Sequence, residues 1–463
     1  MKQQLFQNFS PASKQDWADQ AKKDLKGADF DSLLVSAAPE GFRIQPYYAV
    51  EDTASTQWIK AFDNQINPPQ EAAGLPARHW TNAVEITGDD EAAINREILW
   101  ILNQGADGLI LPLSEPWDWD IVLSGVVLPS LSLWIKPSAK DPLPVLEGFS
   151  SWLDQAAFTE SDLRGGVMWD GLHFGLDQPI AIEEQIEQAA SIHRLFGAYN
   201  HFRTICVDSS VYADAGATAA QELGYGLAAL VELWDGLTEK DIKAEALFAD
   251  LFVMTAVGSD YFMEIAKLKT LRIMLHQLAK QYQVDLPAET IHLFVKTSQW
   301  TKSKAEPHNN FLRNTTEAMS AIIGGCNSLY VLPHDSSNSA FAKRMARNIP
   351  TILREEGYFD KTIDPAAGSY YLENLIQLLL EESWSLLART ESQGGWWQLY
   401  LEHRIQQDVK AIRSLKFQQL IQGRSEKVGL TKPLSNDSKI ASHPEAEHQL
   451  KPSSQFLPFE HAL

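Results

Sequence analysis

The sequence predicts an α/β fold, a (β/α)8 TIM barrel with an extended N-terminal arm and a flexible C-terminal tail. Three observations lead there. From about residue 80, short apolar strand-like runs alternate with longer helix-like stretches, the pattern of a parallel sheet covered by helices. No Gly-x-Gly-x-x-Gly follows any of those runs, so a doubly wound dinucleotide-binding sheet loses its fingerprint. The chain has 463 residues, too long for one average domain and suited to a large barrel with appendages.

The arm comes first, residues 1–48. Trp17, Ala21 and Leu25 recur at helical spacing between Ser13 and Gly27, which predicts a short amphipathic helix stopped by glycine. Pro39-Glu40-Gly41 is a turn, and Phe42 to Tyr48 reads as extended. The arm has no core of its own and is expected to lie against another surface. The barrel spans 49–424. Its strands are expected at Asn82–Ile86, Gly108–Leu113, Val122–Ile135, Thr204–Asp208, Ile291–Thr297 and Ser328–Leu332. Helices are expected at Glu91–Gln104, Ala219–Leu233, Ala244–Leu278 with an interruption near Gly258, Asn310–Ile323 and Tyr371–Thr390. Residues 425–463 are rich in Ser, Lys, Pro, Glu and His and read as a flexible polar tail. Phe456-Leu457-Pro458-Phe459 is an apolar island in it that could dock on a surface.

Composition narrows the function classes. A net charge of −21 argues against nucleic acid or an anionic membrane as partner, because both require a basic face. Two cysteines, Cys206 and Cys326, cannot frame a disulfide scaffold and fit a reducing compartment. The longest apolar stretch, Ile121 to Ile135, is broken by Ser124, Pro129, Ser130 and Ser132, and it falls short of the roughly 20 residues of a membrane helix. Met1 to Trp17 lacks the apolar centre of a signal peptide. A soluble, cytoplasmic protein is expected.

No sequence pattern supplies an active site. There is no Cys-x-x-Cys, no paired histidines at helical spacing and no Gly-x-Ser-x-Gly elbow. His193 and His201 read as polar surface groups flanking a helix end. The strand ends carry Asp208, Ser209, Lys296, Thr297, Ser298, Pro333, His334 and Asp335, among which no nucleophile–base or acid–base pair stands out. The expectation is therefore no catalytic residue and no metal ligand.

Three strings are distinctive. One is Lys296-Thr297-Ser298-Gln299-Trp300 followed by His308-Asn309-Asn310-Phe311-Leu312-Arg313-Asn314-Thr315-Thr316-Glu317-Ala318-Met319. Another runs from Arg344-Met345-Ala346-Arg347-Asn348 to Asp364-Pro365-Ala366-Ala367-Gly368-Ser369-Tyr370-Tyr371. The third is Ala215-Gly216-Ala217-Thr218 followed by Tyr261-Phe262-Met263-Glu264-Ile265-Ala266-Lys267. Each has a plain structural explanation: a helix N-cap region, a loop that opens a helix, and a buried helix face.

From Pro39 to about Arg413 these strings resemble, in order, the barrel of the adenosylcobalamin-dependent acyl-CoA mutases, methylmalonyl-CoA mutase above all. The resemblance implies a barrel in which acyl-CoA threads along the axis and a cobalamin domain caps the C-terminal face. Departures then decide the expected function. The segment Val207-Asp208-Ser209-Ser210-Val211-Tyr212-Ala213-Asp214-Ala215 places valine where catalytic chains resemble one another in a substrate-contacting histidine, and Ser210 where they carry a tyrosine. Valine has no N–H to polarise a thioester. After His79-Trp80-Thr81 comes Asn82-Ala83-Val84-Glu85-Ile86, without the family's tyrosine, and Gly165 to Gly175 shows no match to its substrate-binding arginine. The cobalt-ligating Asp-x-His-x-x-Gly is not matched; Asp170-Gly171-Leu172-His173-Phe174-Gly175 has its histidine one place late.

The resemblance implies a non-catalytic small subunit that binds no cofactor itself. It supports a catalytic large subunit in a heterodimer, with adenosylcobalamin held by that large subunit, which interconverts methylmalonyl-CoA and succinyl-CoA. Asn309, Asn310, Arg313 and Glu317 match the family's cofactor-facing segment and are the candidate vestigial cofactor contacts. A plugged barrel axis is expected. The alternatives are an active barrel served by a separate cobalamin-binding chain, and a stand-alone CoA-binding barrel.

Overall fold

The computed structural model describes residues 12–67, 74–156, 158–174, 181–303, 307–335 and 339–429. The arm contributes a small antiparallel hairpin, β1 (Ser36–Ala37) and β2 (Arg43–Ile44). The rest of the strands form one parallel ladder. In chain order they are β3 (Thr81–Glu85), β4 (Gly108–Leu113), β5 (Ser132–Pro137), β6 (Arg164–Val167), β7 (His201–Arg203), β8 (Ile205–Asp208), β9 (Leu251–Val257), β10 (His292–Thr297) and β11 (Ser328–Tyr330).

Their order in the sheet is β7-β6-β5-β4-β3-β11-β10-β9-β8. The first and last strands of that ladder are neighbours in sequence, separated by Thr204 alone. The first half of this run pairs with β6 and the second half with β9. The nine ladder strands are thus eight staves closed into a barrel, as strand tilt in a closed sheet requires.

Period-two alternation sorts the side chains. Leu109, Leu111, Leu133, Ile135, Val207, Val253, Leu293 and Leu329 face outward into the main core under the helices. Ile110, Trp134, Cys206, Phe252, Phe294 and Tyr330 alternate with them and face the axis. The helices Glu91–Leu102, Leu143–Gln155, Ile182–Phe196, Ala219–Thr238, Tyr261–Gln281, Asn309–Gly324 and Ala340–Glu355 surround the barrel. Several begin on side-chain caps, among them Asp90, Thr218, Asp260 and Ser339. A further long helix, Tyr370–Ser392, packs on Ala219–Thr238 and Tyr261–Gln281.

Three expected elements are corrected. The long helix expected over 244–278 is a short helix Ala244–Asp250, strand β9, and a second helix Tyr261–Gln281. All seven residues of β9 are buried, and a continuous apolar run has no period to tell strand from buried helix. The strand expected over 122–135 is confined to β5; before it, Trp119–Val122 is helical and Leu128–Ser130 a 3-10 turn. Pro129 and Gly125, the latter at φ 73°, break the extension. Of the extended segment 42–48, Arg43–Ile44 alone is strand. The strands β6 and β7 had no sequence signal, being short and containing Gly165-Gly166 and polar residues.

His201 is exposed at the start of β7, whereas His193 is half-buried and bonds Asp250 Oδ2 through Nδ1 at 2.7 Å. Residues 430–463, including the apolar island at 456–459, lie outside the described residues. Among the described residues no helix is long and apolar enough to cross a membrane.

The helix Lys14–Asp24 in the arm has no buried residue, although Trp17 meets the Phe30 and Tyr47 rings. The hairpin tip holds the arm to the barrel. Glu40 Oε1 accepts a hydrogen bond from Ala219 N at 3.2 Å, placing a carboxylate at the positive N-terminal end of the helix Ala219–Thr238. Burial raises the Glu40 carboxyl above the usual range, with nearby Lys416 opposing. A pKa raised in the folded state gives stability that is complete in acid and lost as pH rises through the folded value. Glu40→Gln therefore gains on the wild type as pH rises from about 4.5 to neutral. Thermal unfolding of both chains across that series checks it; a constant difference would refute the docking geometry.

Candidate functional site

A barrel's chemistry belongs at the C-terminal ends of its strands, and in this resemblance also along its axis. The axis is full. Trp134 and Phe294 have ring centroids 5.0 Å apart and Trp134 and Phe252 4.9 Å, and all three side chains are fully buried. Met168, Met254 and Tyr330 pack above and beside them. Glycines in the neighbouring strands keep the walls close. A Cβ on Gly166 would lie 2.2 Å from the Arg203 carbonyl and 3.1 Å from the Trp134 ring. A Cβ on Gly108 would lie 2.6 Å from the Thr81 methyl. Among the described residues the centre of the interior is a packed core.

Above the plug, the polar groups pair with each other. Lys296 Nζ is 2.8 Å from Asp214 Oδ2, and Asp214 Oδ1 also accepts from Ser298 Oγ at 2.9 Å and Gln299 N at 2.8 Å. Burial works against the Lys296 charge, but Asp214 and Asp208 hold its ammonium above the usual range. Glu85, in the strand that lacks the family's tyrosine, is bridged to Lys136 at 3.2 Å. Ser209 Oγ donates to the Met254 carbonyl at 2.8 Å, and Ser210 Oγ donates to Asp208. Val211 is buried in the short helix Ser210–Asp214, part of the outer core.

Sequence reasoning missed one buried network. Asp170 Oδ2 contacts His173 Nδ1 at 2.5 Å, and the other ring nitrogen, Nε2, is 2.8 Å from Tyr212 Oη. Trp396 Nε1 donates to the same hydroxyl at 2.7 Å. Asp208 N donates to Asp170 Oδ2 at 2.7 Å. The chain Asp-His-Tyr has the residue types of a proton relay, yet every member is buried, and it ends on the Trp396 ring rather than in a cleft. Its role is to lock the end of β6, the helix after β8 and the helix Gly395–Leu401 together. The spacing Asp170 to His173 was visible in the sequence; Tyr212 and Trp396 are joined to it only by the fold.

The four candidate cofactor contacts share the helix Asn309–Gly324. Asn310 is buried and fully engaged. Its Oδ1 accepts from Ser303 N at 3.0 Å and Arg313 Nη1 at 2.6 Å; its Nδ2 donates to the Ser303 and His334 carbonyls, each at 2.8 Å. Arg313 Nη2 donates to the Val428 carbonyl at 2.6 Å. Glu317 accepts from Thr301 Oγ1 and pairs with Lys302. Burial pushes the Glu317 carboxyl up and the Lys302 ammonium down, so mutual contact, not solvent, holds the pair. Asn309 is half-buried at the start of the same helix. Among the described residues no group of three or more His, Cys, Asp or Glu could hold a metal ion.

Comparison with known proteins fits this geometry to a lineage. The family model described as methylmalonyl-CoA mutase matches residues 105–454. The chain belongs to the methylmalonyl-CoA mutase family. It is similar to the methylmalonyl-CoA mutase small subunit of Porphyromonas gingivalis, 32% identical over 450 residues, 95% of this chain and 72% of that one. It is similar also to the small subunit of Streptomyces virginiae, 30% identical over 392 residues, 81% of this chain and 61% of that one. The large subunit of Porphyromonas gingivalis matches over less: 31% identity across 198 residues, 42% of this chain and 28% of that one.

Within this mutase-family barrel two substitutions separate the axis from the lock beside it. Trp134→Ala empties the centre of the plug and is expected to cost about 3–5 kcal/mol, measured by urea unfolding. Tyr212→Phe leaves His173 and Trp396 without their shared hydroxyl and is expected to cost about 1–3 kcal/mol. A neutral Tyr212→Phe would show that the network is not a structural lock.

Proposed function

We propose that this chain is the non-catalytic small subunit of an adenosylcobalamin-dependent methylmalonyl-CoA mutase, and that it supports a catalytic large subunit which interconverts methylmalonyl-CoA and succinyl-CoA. The observation that carries the reading is the aromatic plug of Trp134, Phe252 and Phe294, which occupies the path an acyl-CoA would take along the axis. Val211 adds to it, since that buried side chain offers no hydrogen bond to a thioester. Both alternatives require a path for CoA through the barrel. The plug disfavours the active barrel served by a separate cobalamin chain and the stand-alone CoA binder equally.

The cobalamin-facing segment does not fit a ligand here. The Asn310 amide is used by backbone groups and Arg313, and the Glu317 carboxylate by Lys302 and Thr301. These residues fix the helix Asn309–Gly324 against the loops beside it, and the cofactor of the assembly is assigned to the large subunit. The arm supplies surface for a partner: Leu33 and Tyr47 are exposed apolar side chains on it, and Val50 follows just beyond its end. An obligate interface of this kind buries more than about 2,000 Å². The expected compartment is the cytoplasm.

The test is to purify this chain alone and with its candidate large subunit, each with adenosylcobalamin and methylmalonyl-CoA. The expected result is no isomerisation by the chain alone and a stable heterodimer by size-exclusion chromatography. Turnover by the chain alone would overturn the proposal. So would failure of the two chains to associate.

A further inference from the structure

The helix Ala340–Glu355, which follows the last barrel strand, carries Lys343, Arg344 and Arg347 in its first half. Lys343 and Arg347 lie one turn apart and line a narrow cleft open to solvent with Asn82, Glu85, Thr87 and Tyr330. Most polar groups there already have partners. Lys343 Nζ donates to Thr87 Oγ1 and is 3.5 Å from Glu97. Glu85 is bridged to Lys136. The Asn82 side chain donates to the Arg347 carbonyl at 3.0 Å and to Thr351 Oγ1 at 3.3 Å.

The Arg347 guanidinium is the exception. The residue is 5% exposed. Among the described residues its side chain forms no ion pair and no hydrogen bond, and its Nε is buried without an acceptor. Its one close partner is the Trp100 ring, 4.9 Å away, and a ring face satisfies none of five N–H donors. Burial, with Arg344 adding like charge, works against its protonation. A guanidinium with its Nε buried and unbonded and no ion pair to meet it, lining an open cleft, is a place for an anion. Arg413 is a useful contrast. Its Nε is also buried without an acceptor, but it lies near two rings, 5.2 Å from Trp300 and 5.7 Å from Phe417, and it is not among the residues lining this cleft.

We propose that this cleft is a binding site for a small phosphate-class oxyanion, held by the Arg347 guanidinium with Lys343 at its rim. A guanidinium presents paired donors that match two oxygens of such an anion. Glu85, which lines the cleft, and Glu97, beside Lys343, are each matched by a lysine, so they offer an anion little repulsion. The place also suits the fold, since the loops and helix after the last strands of such barrels commonly hold phosphate groups. The inference is independent of the proposed subunit role.

Inorganic phosphate is the probe. The full chain is titrated by calorimetry in chloride buffer at constant ionic strength, and its melting temperature is followed in parallel. Saturable binding and a rise in melting temperature are expected. Arg347→Met is expected to weaken binding by about tenfold or more, and Arg413→Met to keep the wild-type affinity. The proposal is overturned by absence of saturable binding, by wild-type affinity in Arg347→Met, or by an equal loss in Arg413→Met. If Arg347→Met does not fold, Lys343→Met decides: weaker phosphate binding supports the site and unchanged binding overturns it.

Discussion

Trp134, Phe252 and Phe294 meet on the barrel axis, and the rest of the molecule follows from how that contact is accommodated. Large rings can fill a closed sheet only where neighbouring staves give way, as Gly166 does beside the Trp134 ring. The charged groups above the centre form pairs: Lys296 with Asp214, Glu85 with Lys136. The proposed function therefore rests on packing more than on any missing catalytic group.

Polar networks tie the strand ends to the elements around them. Lys267 contacts Glu222 and Glu264, each at 2.6 Å, while Glu222 also accepts from Thr255 Oγ1 at 2.6 Å. With the Asp170-His173-Tyr212-Trp396 chain, these contacts join helices to strands through buried polar groups. Buried ionic groups seldom add net stability over apolar ones of equal size, but a half-broken set is severely penalised. Such networks fix one arrangement of the elements and make near alternatives costly.

Much of the fold was legible in the sequence, for physical reasons. Gly108–Leu113 was readable because a buried parallel strand is a short apolar run with turn residues on both sides. The helix Lys14–Asp24 was readable from its spacing and from glycine beyond its end. β9 was hidden because Leu251–Val257 is apolar at every position, and the flanking helices share that composition. The candidate site was less legible. The valine at 211 and the loss of tyrosine after Trp80 were visible residue by residue. The plug was not, since Trp134, Phe252 and Phe294 are far apart in sequence and nothing local marks them as facing one another. Arg347 was visible within a motif, but its lack of a partner is a property of burial alone.

The filled axis has a mechanical consequence. Voids that vanish on unfolding govern how strongly hydrostatic pressure favours the unfolded chain. A corridor along a barrel is such a void, and here its middle is occupied by close-packed rings. This barrel thus has little internal volume to surrender at its centre. Its resistance to compression at the centre comes from the same three side chains that fill the axis.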